Sequence, residues 1–522
     1  MKKGILYIIC AGLLAVSCAQ DEGNYTYRDI SAPTVTGIEA EISVLKNERL
    51  QLSPTIAGED YNASDCDFEW KVISDNDADT ATVIGKEREL DILMLLPEDT
   101  YRLYFTITDR TREMYWQNVY SLKVAQSTTE GWMVLCAEGD GATRLDMISA
   151  VTGKTYYDLL KGTGTPEYRG PRRIQQLEGY TDSDSPFYLL TNEGATRLGT
   201  DAFAWKEEYL LQYEMGDGSA NTAPYEMVTT NHGKMMVADG NFHYSSCMSF
   251  IGLFDDKANK DFKVAPMIGS NVAASFVTVP VMMAYDIDGK RFMGYVYQKQ
   301  LMELPESMIE MNELANIAND RWEKNKKEGN GVSGTAFEEF PQGLDYVYME
   351  NTRYVPGGSG KMAVTYTILA EGEKRYLYGI QLGDMLPPSW GECQSALGKF
   401  YYGDLSACTD ITKAELFAFS SVNRMMYYAV GGTLYRVNLD TRQAEKQFTL
   451  PAGEEITRLK FNLFQKTKNL NRSYDLIVGS LQGEEGILRI YRDNDLSGDF
   501  SKAKPEEYKG FARIVDVTYR EW

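Results

Sequence analysis

Histidine is almost absent from this chain of 522 residues, which contains only His232 and His243. So few imidazoles argue against histidine-rich zinc sites and against Ser-His-Asp chemistry, and no Gly-x-Ser-x-Gly nucleophile motif is present. The two histidines flank one predicted hairpin, where we expect local roles in a turn and a strand. A two-histidine metal site is the alternative, and it would need carboxylates such as Asp239, which lies between them.

Cysteine is also sparse. After Cys18, five cysteines are scattered over the chain, at Cys66, Cys136, Cys247, Cys393 and Cys408. This spread does not form a disulfide framework, and the lack of a Cys-x-x-Cys pair argues against a thiolate zinc site. Cys136 lies in an apolar strand and is expected to be buried, whereas pairing of Cys393 with Cys408 is left open.

Basic residues are fewer than acidic ones. The chain has 53 Lys and Arg and 75 Asp and Glu, which give a net charge of −22. Such acidity argues against nucleic acid and anionic lipid surfaces as partners. The chain has no apolar run long enough to span a bilayer. Its length predicts two or more units rather than one core.

The first apolar run, Ile5 to Val16, follows Lys2 and Lys3 and precedes Ser17-Cys18. A basic start and a short apolar stretch predict a signal peptide over residues 1–17. Ala15-Val16-Ser17-Cys18 resembles a bacterial lipobox, although Ala15 stands where Leu is commonest. The resemblance implies lipidation of Cys18, followed by a lipidated tether over residues 18–30. Several acyl chains on one residue would give stable anchoring.

Residues 31–126 consist of short predicted strands. Tyr101 to Asp109 alternates strictly between apolar and polar residues, which indicates one buried face. Similar strands precede it at residues 42–45, 50–54 and 66–72. Their number and spacing predict an immunoglobulin-like sandwich with Trp70 in its core.

The stretch that starts at Cys18 resembles the N-terminus of the PKD-like family of Bacteroidetes lipoproteins. It runs Cys-x-x-Asp-x-Gly-Asn-Tyr-x-Tyr and ends at Tyr27. Asp21 and Glu22 resemble the surface-export signal of such lipoproteins. Leu96 to Tyr101 resembles the turn of the PKD-like repeat, but Glu98 and Asp99 replace the family's glycine. The resemblance implies a location on the extracellular face of the outer membrane.

A repeated hairpin organises residues 130–522. Gly131 to Leu145 and Phe187 to Leu198 both end in Gly-Ala-Thr-Arg-Leu, and looser copies lie near residues 236, 283, 364, 427 and 477. Seven copies predict a β-propeller of seven blades, with six or eight blades and an open β-solenoid as alternatives. The strand Ala512 to Tyr519 has no hairpin after it, and the first hairpin has no strand before it. We therefore expect the two to pair and close the ring. The fold class is all-β.

A helical insertion is expected at about residues 303–330. Its apolar residues have helical spacing, and we expect it to cover one face of the propeller by packing rather than to bind a cofactor. The residues with that spacing are Met308, Met311, Leu314, Ile317 and Trp322.

Two loops resemble ligand-binding motifs without completing them. The first, with Asp493, Asp495, Ser497 and Asp499, has the oxygens that open a calcium loop, but Lys504 stands where the bidentate Glu is needed. We expect a turn there, with calcium as the alternative. Gly357 to Lys361 resembles a phosphate loop but lacks its first Gly and its Ser/Thr, and is expected to be a turn. No cofactor is expected.

The family resemblance implies an accessory role beside a Sus-like nutrient importer, a TonB-dependent outer-membrane transporter with its SusD-type lipoprotein. The chain would bind oligosaccharide or peptide cargo, or the importer itself, without catalysis. The alternative is a surface glycan- or peptide-degrading enzyme, a hydrolase or lyase. That alternative predicts carboxylates with Arg or Tyr at the centre of the propeller. A purely structural partner is a third possibility. The sequence singles out no catalytic residue.

Overall fold

Short antiparallel strands joined by tight turns make up most of this computed structural model. It describes residues 30–77, 79–177, 187–199, 202–220, 222–230, 233–246, 253–254, 257–272, 280–296, 304–305, 307–325, 332–358, 362–385, 396–464, 467–493 and 495–521. The chain divides into two units, one ending at Ala125 and the other spanning Gln126–Trp522. No helix among these residues is long and apolar enough to cross a membrane.

The N-terminal unit is a β-sandwich. A five-stranded sheet of order β2-β9-β8-β5-β6 accompanies the two-stranded sheets β3-β7 and β1-β4. The strands are β1 Thr34–Thr36, β2 Glu41–Leu45, β3 Arg49–Leu52, β4 Thr55–Ala57, β5 Cys66–Ser74, β6 Ala81–Gly85, β7 Leu90–Leu93, β8 Asp99–Asp109 and β9 Met114–Ala125. Trp70 is fully buried and stacks on Phe105 at 4.2 Å, which confirms its predicted place in the core.

The C-terminal unit is a β-propeller, because its described strands form seven sheets, or blades. The strands of blades 1 to 3 are β10 Gly131–Ala137, β11 Thr143–Ser149, β12 Thr155–Tyr156, β13 Pro171–Gln176, β14 Phe187–Thr191, β15 Gly194–Leu198, β16 Pro224–Thr230, β17 Gly233–Ala238 and β18 Asn241–Ser246. Blade 4 holds β19 Val281–Asp286, β20 Arg291–Val296 and β21 Ile309–Glu310. Residues 264–269 bond to β19 as its inner segment, with Gly269 N donating to Met283 O at 2.7 Å.

Blade 5 contains β22 Val332–Ser333, β23 Asp345–Asn351, β24 Val364–Glu371, β25 Lys374–Leu382 and β26 Leu397–Asp404. Blade 6 contains β27 Leu416–Phe419, β28 Met425–Val430, β29 Thr433–Asn438 and β30 Gln443–Thr449. Blade 7 contains β31 Glu454–Phe461, β32 Leu476–Gln482, β33 Glu485–Tyr491 and β34 Glu506–Phe511. Short 3-10 turns lie at Ala63–Asp65, Glu207–Tyr209, Leu211–Glu214, Pro356–Gly358, Ile411–Lys413 and Thr467–Tyr474.

The last strand closes the ring. This strand, β35 (Arg513–Arg520), pairs antiparallel with β10 and becomes the innermost strand of blade 1, as the sequence predicts. It contacts β13 and β31, the inner strands of the two neighbouring blades. Because β10 receives its missing neighbour from the other end of the chain, the inner edge of β10 is paired.

Each of the seven predicted apolar hairpin strands lies inside a blade, and each pair of neighbouring blades encloses its own apolar core. Blades 7 and 1 pack through Trp132, Val134, Ile477, Ile514 and Val517, for example, and similar clusters join every other described pair. Burial of these side chains is the main stabilising term of the ring.

The expected helical insertion is one helix, α1 (Met311–Asn325), and it begins later than the sequence pattern suggested. Ile309 and Glu310 precede it as β21, the outer strand of blade 4. Met311 and Leu314 are buried in the core between blades 4 and 5. The helix thus fills the space between two blades, and the expectation that it covers a propeller face is wrong.

We expect ring closure to depend on Val517, which is fully buried between blades 7 and 1. Val517→Asp places an unpaired charge in that core and should lower the free energy of unfolding by more than about 3 kcal/mol. Val151→Asp is the matched control, because Val151 is 39% exposed in a turn of blade 1, and it should change stability by less than about 0.5 kcal/mol. Urea denaturation followed by circular dichroism measures both. Equal stability of the two variants would contradict the closure.

Candidate functional site

The inner strands of the propeller enclose a central cavity with a volume of about 220 Å³. Segments of blades 1 to 5 and 7 supply its lining. Six acidic or basic side chains line it, from residues that lie far apart in sequence. They are Arg173, Glu226, Glu350, Arg458, Lys460 and Asp516. Three cations therefore face three carboxylates at the axis of the ring.

A β-bulge precedes the cavity-lining residue on five of the inner strands. In each case one residue of the inner strand is skipped in the pairing with the second strand, and the next residue lines the cavity. The residues that follow the skipped positions are Arg173, Glu226, Tyr348, Arg458 and Asp516. Bulges redirect side chains relative to a regular pleat, so this repeated irregularity aims polar groups at the axis.

The three carboxylates each accept a hydrogen bond from the backbone of the next blade. Asp516 of blade 1 accepts from Ile174 N at 3.2 Å. Glu226 of blade 3 accepts from Ile268 N at 2.6 Å, and Glu350 of blade 5 accepts from Phe419 N at 3.2 Å. These bonds link neighbouring blades at their inner ends and satisfy backbone donors that the sheets leave unpaired.

Two amide side chains do the same between other blades. Gln175 bonds both backbone groups of Met227, and Asn351 accepts from Ser270 N at 2.9 Å while it donates to Ile268 O at 2.7 Å. Polar side chains at the axis therefore have a structural role in holding the blades together.

The three cations are less completely paired. Arg173 Nη1 donates to Glu226 Oε1 at 2.9 Å, but its Nη2 faces the thioether sulfur of Met267, a weak acceptor. Arg458 Nη2 lies 2.8 Å from Asp516 Oδ1, and its buried Nε has no hydrogen-bond partner among the described residues. Lys460 Nζ lies 3.4 Å from the same Asp516 oxygen. Two cations thus share one carboxylate.

The cavity perturbs its titratable groups. Burial raises the pKa of Glu350 from 4.5 to about 7. Its two hydrogen-bond donors, Tyr348 OH at 3.0 Å and Phe419 N, are neutral and offset the effect of burial only in part. Burial lowers the pKa of Lys460. For Asp516 burial acts to raise the pKa, but the nearby cations outweigh it and hold the pKa below its ordinary value.

The carboxylates of the possible calcium loop accept hydrogen bonds from the backbone of their own turns. Asp493 accepts from Gly498 N at 2.8 Å, Asp495 from Ser497 N at 3.2 Å and Asp499 from Ser501 N at 2.9 Å. Each carboxylate thus caps its own turn. No cluster of three potential metal ligands occurs among the residues with described positions. Calcium binding stays a prediction.

The other sequence candidates lie apart from the cavity or outside the described residues. In blade 3, His243 of β18 pairs with Met236 of β17. Asp239 adopts a positive φ of 52° in the turn between β17 and β18. Gly357 is in a turn with φ 74°. Cys136 and Cys408 are buried and unbridged, and burial raises the pKa of both thiols. Positions outside the described residues include Cys18, His232, Cys247, Cys393 and 359–361.

Comparison with known proteins supports the N-terminal assignment. Residues 18–166 match the PKD-like family, and the match continues past Ala125 into blade 1. No curated protein sequence matches the chain.

The chain also has distant similarity to solved structures, three of which follow. A quinonprotein alcohol dehydrogenase-like protein from Bacteroides thetaiotaomicron has 11% identity and a TM-score of 0.42, with coverage of 94% of this chain and 99% of that chain. The extracellular domain of a protein described as a one-component system from B. thetaiotaomicron has 10% identity, a TM-score of 0.36 and coverage of 67% and 36%. The WD40 domain of SCAP from fission yeast has 8% identity, a TM-score of 0.33 and coverage of 65% and 74%.

Glu350 should make stability depend on pH. Because its folded-state pKa is about 7 and the ordinary value is 4.5, the folded protein retains a proton that the unfolded chain has released between these values. This group's contribution to stability therefore falls as pH rises through that window. Glu350→Gln keeps the acceptor for Tyr348 and Phe419 and removes the titration. It should be more stable than wild type at about pH 8, by on the order of 1–2 kcal/mol, and similar at about pH 5.

Urea denaturation at both pH values measures this difference. Glu455→Gln is the matched control, because Glu455 is exposed on β31, and its pH profile should parallel wild type. A Glu350→Gln profile that also parallels wild type would show that Glu350 titrates normally.

Proposed function

We propose that this protein is a lipid-anchored protein on the extracellular face of a Bacteroidetes outer membrane, an accessory of a Sus-like nutrient importer that binds cargo without catalysis. The proposed location is supported by the lipobox-like Ala15 to Cys18, by the acidic Asp21-Glu22 that follows, and by the PKD-like match over residues 18–166. Attachment through several acyl chains would hold the chain at the membrane without a spanning segment.

The central cavity is the observation that supports a binding role. It is concave, it lies at the axis of a ring closed by β35, and the buried Nε of Arg458 has no hydrogen-bond partner among the described residues. Cavities with a few convergent polar groups are typical binding sites. The carboxylates are already engaged by backbone N–H groups, which favours binding over acid–base catalysis.

The importer association predicts specific co-purification. A tagged full-length protein, extracted from its native outer membrane in mild detergent, should bring down a TonB-dependent barrel and a SusD-type lipoprotein in stoichiometric amounts. Mass spectrometry of the eluate measures this. Recovery of the tagged chain without either partner would contradict the importer role.

Cys18→Ala tests the proposed anchoring and surface location. Without the thiol that would carry the lipid, the variant should leave the membrane fraction and lose access to both partners. External protease applied to intact cells should cleave wild type and not the variant. Retention of Cys18→Ala at the surface would refute anchoring through this residue.

The raised pKa of Glu350 favours a second candidate, a surface hydrolase or lyase that acts on glycans or peptides. A carboxyl group that titrates near neutral pH, beside a tyrosine hydroxyl and two cations, has the properties of a general acid or base. This candidate requires turnover of a substrate whose reacting bond reaches the cavity.

A screen of oligosaccharides and peptides tests the enzyme candidate. If the protein is an enzyme, Glu350→Gln should lower kcat by about a hundredfold or more, the usual contribution of a general acid or base, and Glu455→Gln should retain the wild-type rate. Liquid chromatography of the products measures both rates. Absence of turnover, or equal rates for the two variants, would eliminate catalysis through Glu350.

A further inference from the structure

Hydrogen-bonding capacity in the central cavity is unbalanced toward donors. Asp516 forms an ion pair with Arg458 and accepts hydrogen bonds from Lys460 and the backbone N–H of Ile174, so both of its oxygens are engaged. The cations are less fully engaged: Arg458 Nε is buried without an acceptor among the described residues, and Arg173 Nη2 meets only the sulfur of Met267. Lys460 carries three N–H donors, and its recorded hydrogen bond within the described residues is a long one, to Asp516 Oδ1 at 3.4 Å.

Unsatisfied donors on buried cations are costly, and ordered water or a ligand with strong acceptors relieves that cost. A carboxylate fits this need, since it supplies two oxygens and a negative charge and forms paired bonds with a guanidinium group. Arg458 and Lys460 lie two residues apart on β31 and share Asp516, so both can contact the same anion.

The size of the cavity limits the ligand. A cavity of roughly 150 Å³ in another protein accommodates benzene. The space of about 220 Å³ here therefore suits one six-membered ring with small substituents. Gln176, Thr229 and Asn462 add amide and hydroxyl groups to the lining, which suit a ligand that carries hydroxyl or amide groups besides its carboxylate.

We propose that the central cavity binds a compact carboxylate, about one sugar ring in size, whose carboxylate group is held by Arg458 and Lys460 with Arg173 nearby. The inference deepens the proposed cargo-binding role and rests on it for the origin of the ligand. Two sources present this chemistry: an acidic sugar and the C-terminus of a peptide.

Proton uptake should accompany binding. Glu350 is faced by Tyr348 on its own strand, by Phe419 N of blade 6 and by Arg458 and Lys460 of blade 7. A ligand anion among these groups adds negative charge and favours protonated Glu350, so binding should be tighter at about pH 6 than at about pH 8. Glu350→Gln removes this titration, so its affinity should vary less with pH than that of wild type.

Isothermal titration calorimetry of the detergent-solubilised full-length protein tests the proposal with three probes. D-glucuronate represents the acidic sugar, N-acetyl-L-alanine represents the peptide C-terminus, and D-glucose is the matched neutral sugar. We expect at least one carboxylate to bind, and glucuronate to bind at least about tenfold more tightly than glucose if the source is a sugar. Binding of N-acetyl-L-alanine alone would also support the carboxylate site and would assign it to peptides.

Lys460→Met removes one cation while Asp516 keeps Arg458 and Ile174 N. It should weaken carboxylate binding by about ten- to a hundredfold, the loss typical of a charged hydrogen bond. Lys446→Met is the control, because Lys446 is exposed on β30, and it should bind as wild type does. If Lys460→Met does not fold, Glu350→Gln provides the second readout: its affinity should vary less with pH than that of wild type.

Three results would overturn the carboxylate site: no binding of either carboxylate with a Kd below about 10 mM, glucose binding as tightly as glucuronate with no binding of N-acetyl-L-alanine, or unchanged affinity in a folded Lys460→Met variant. These results are independent of co-purification with an importer. Recovery of the importer without carboxylate binding would leave the proposed function in place and remove only this inference. Carboxylate binding without recovery of the importer would support the carboxylate site and contradict the importer role.

Discussion

The pairing of β35 with β10 is the constraint on which the propeller depends. An inner strand has to come from the C-terminal end of the chain, because the first hairpin begins at Gly131 without one. Backbone bonds along this pair satisfy groups that would otherwise form an exposed edge. The same strand carries Val517 into the core between blades 7 and 1 and Asp516 into the central cavity. Closure, packing and the composition of the site are thus joined in one segment.

Closure also explains why charge is tolerated at the axis. The inner segments of blades 2, 4 and 6 present the backbone N–H groups of Ile174, Ile268 and Phe419, and Asp516, Glu226 and Glu350 accept bonds from these groups on the following blade. The carboxylates therefore stabilise the arrangement of blades. Arg458 and Lys460 balance this negative charge but have more N–H donors than the acceptors recorded for them in the described part of the chain. A structural need for acceptors between blades produces a cavity suited to anions.

The architecture could be predicted because it repeats: the apolar hairpin strands near residues 134, 189 and 477 became the second strands of their blades, and the orphan strand became β35. The cavity could not be found in this way. Its ionisable residues extend from Arg173 to Asp516 and meet only when the ring closes, and a lone charge in a short strand resembles a solvent-facing position. One signal was present: in the strands before several hairpins, a polar or tyrosine residue precedes an apolar one, as in Arg458-Leu459. The helix α1 began late because β-pairing of Ile309 and Glu310 overrode its helical periodicity.

The most direct test is a pair of crystal structures of the full-length protein, one grown with D-glucuronate and one with N-acetyl-L-alanine. We expect density for at least one of these ligands in the central cavity, with its carboxylate in hydrogen-bond contact with Arg458 and Lys460. A central cavity that contains only water in both crystals would contradict the carboxylate site.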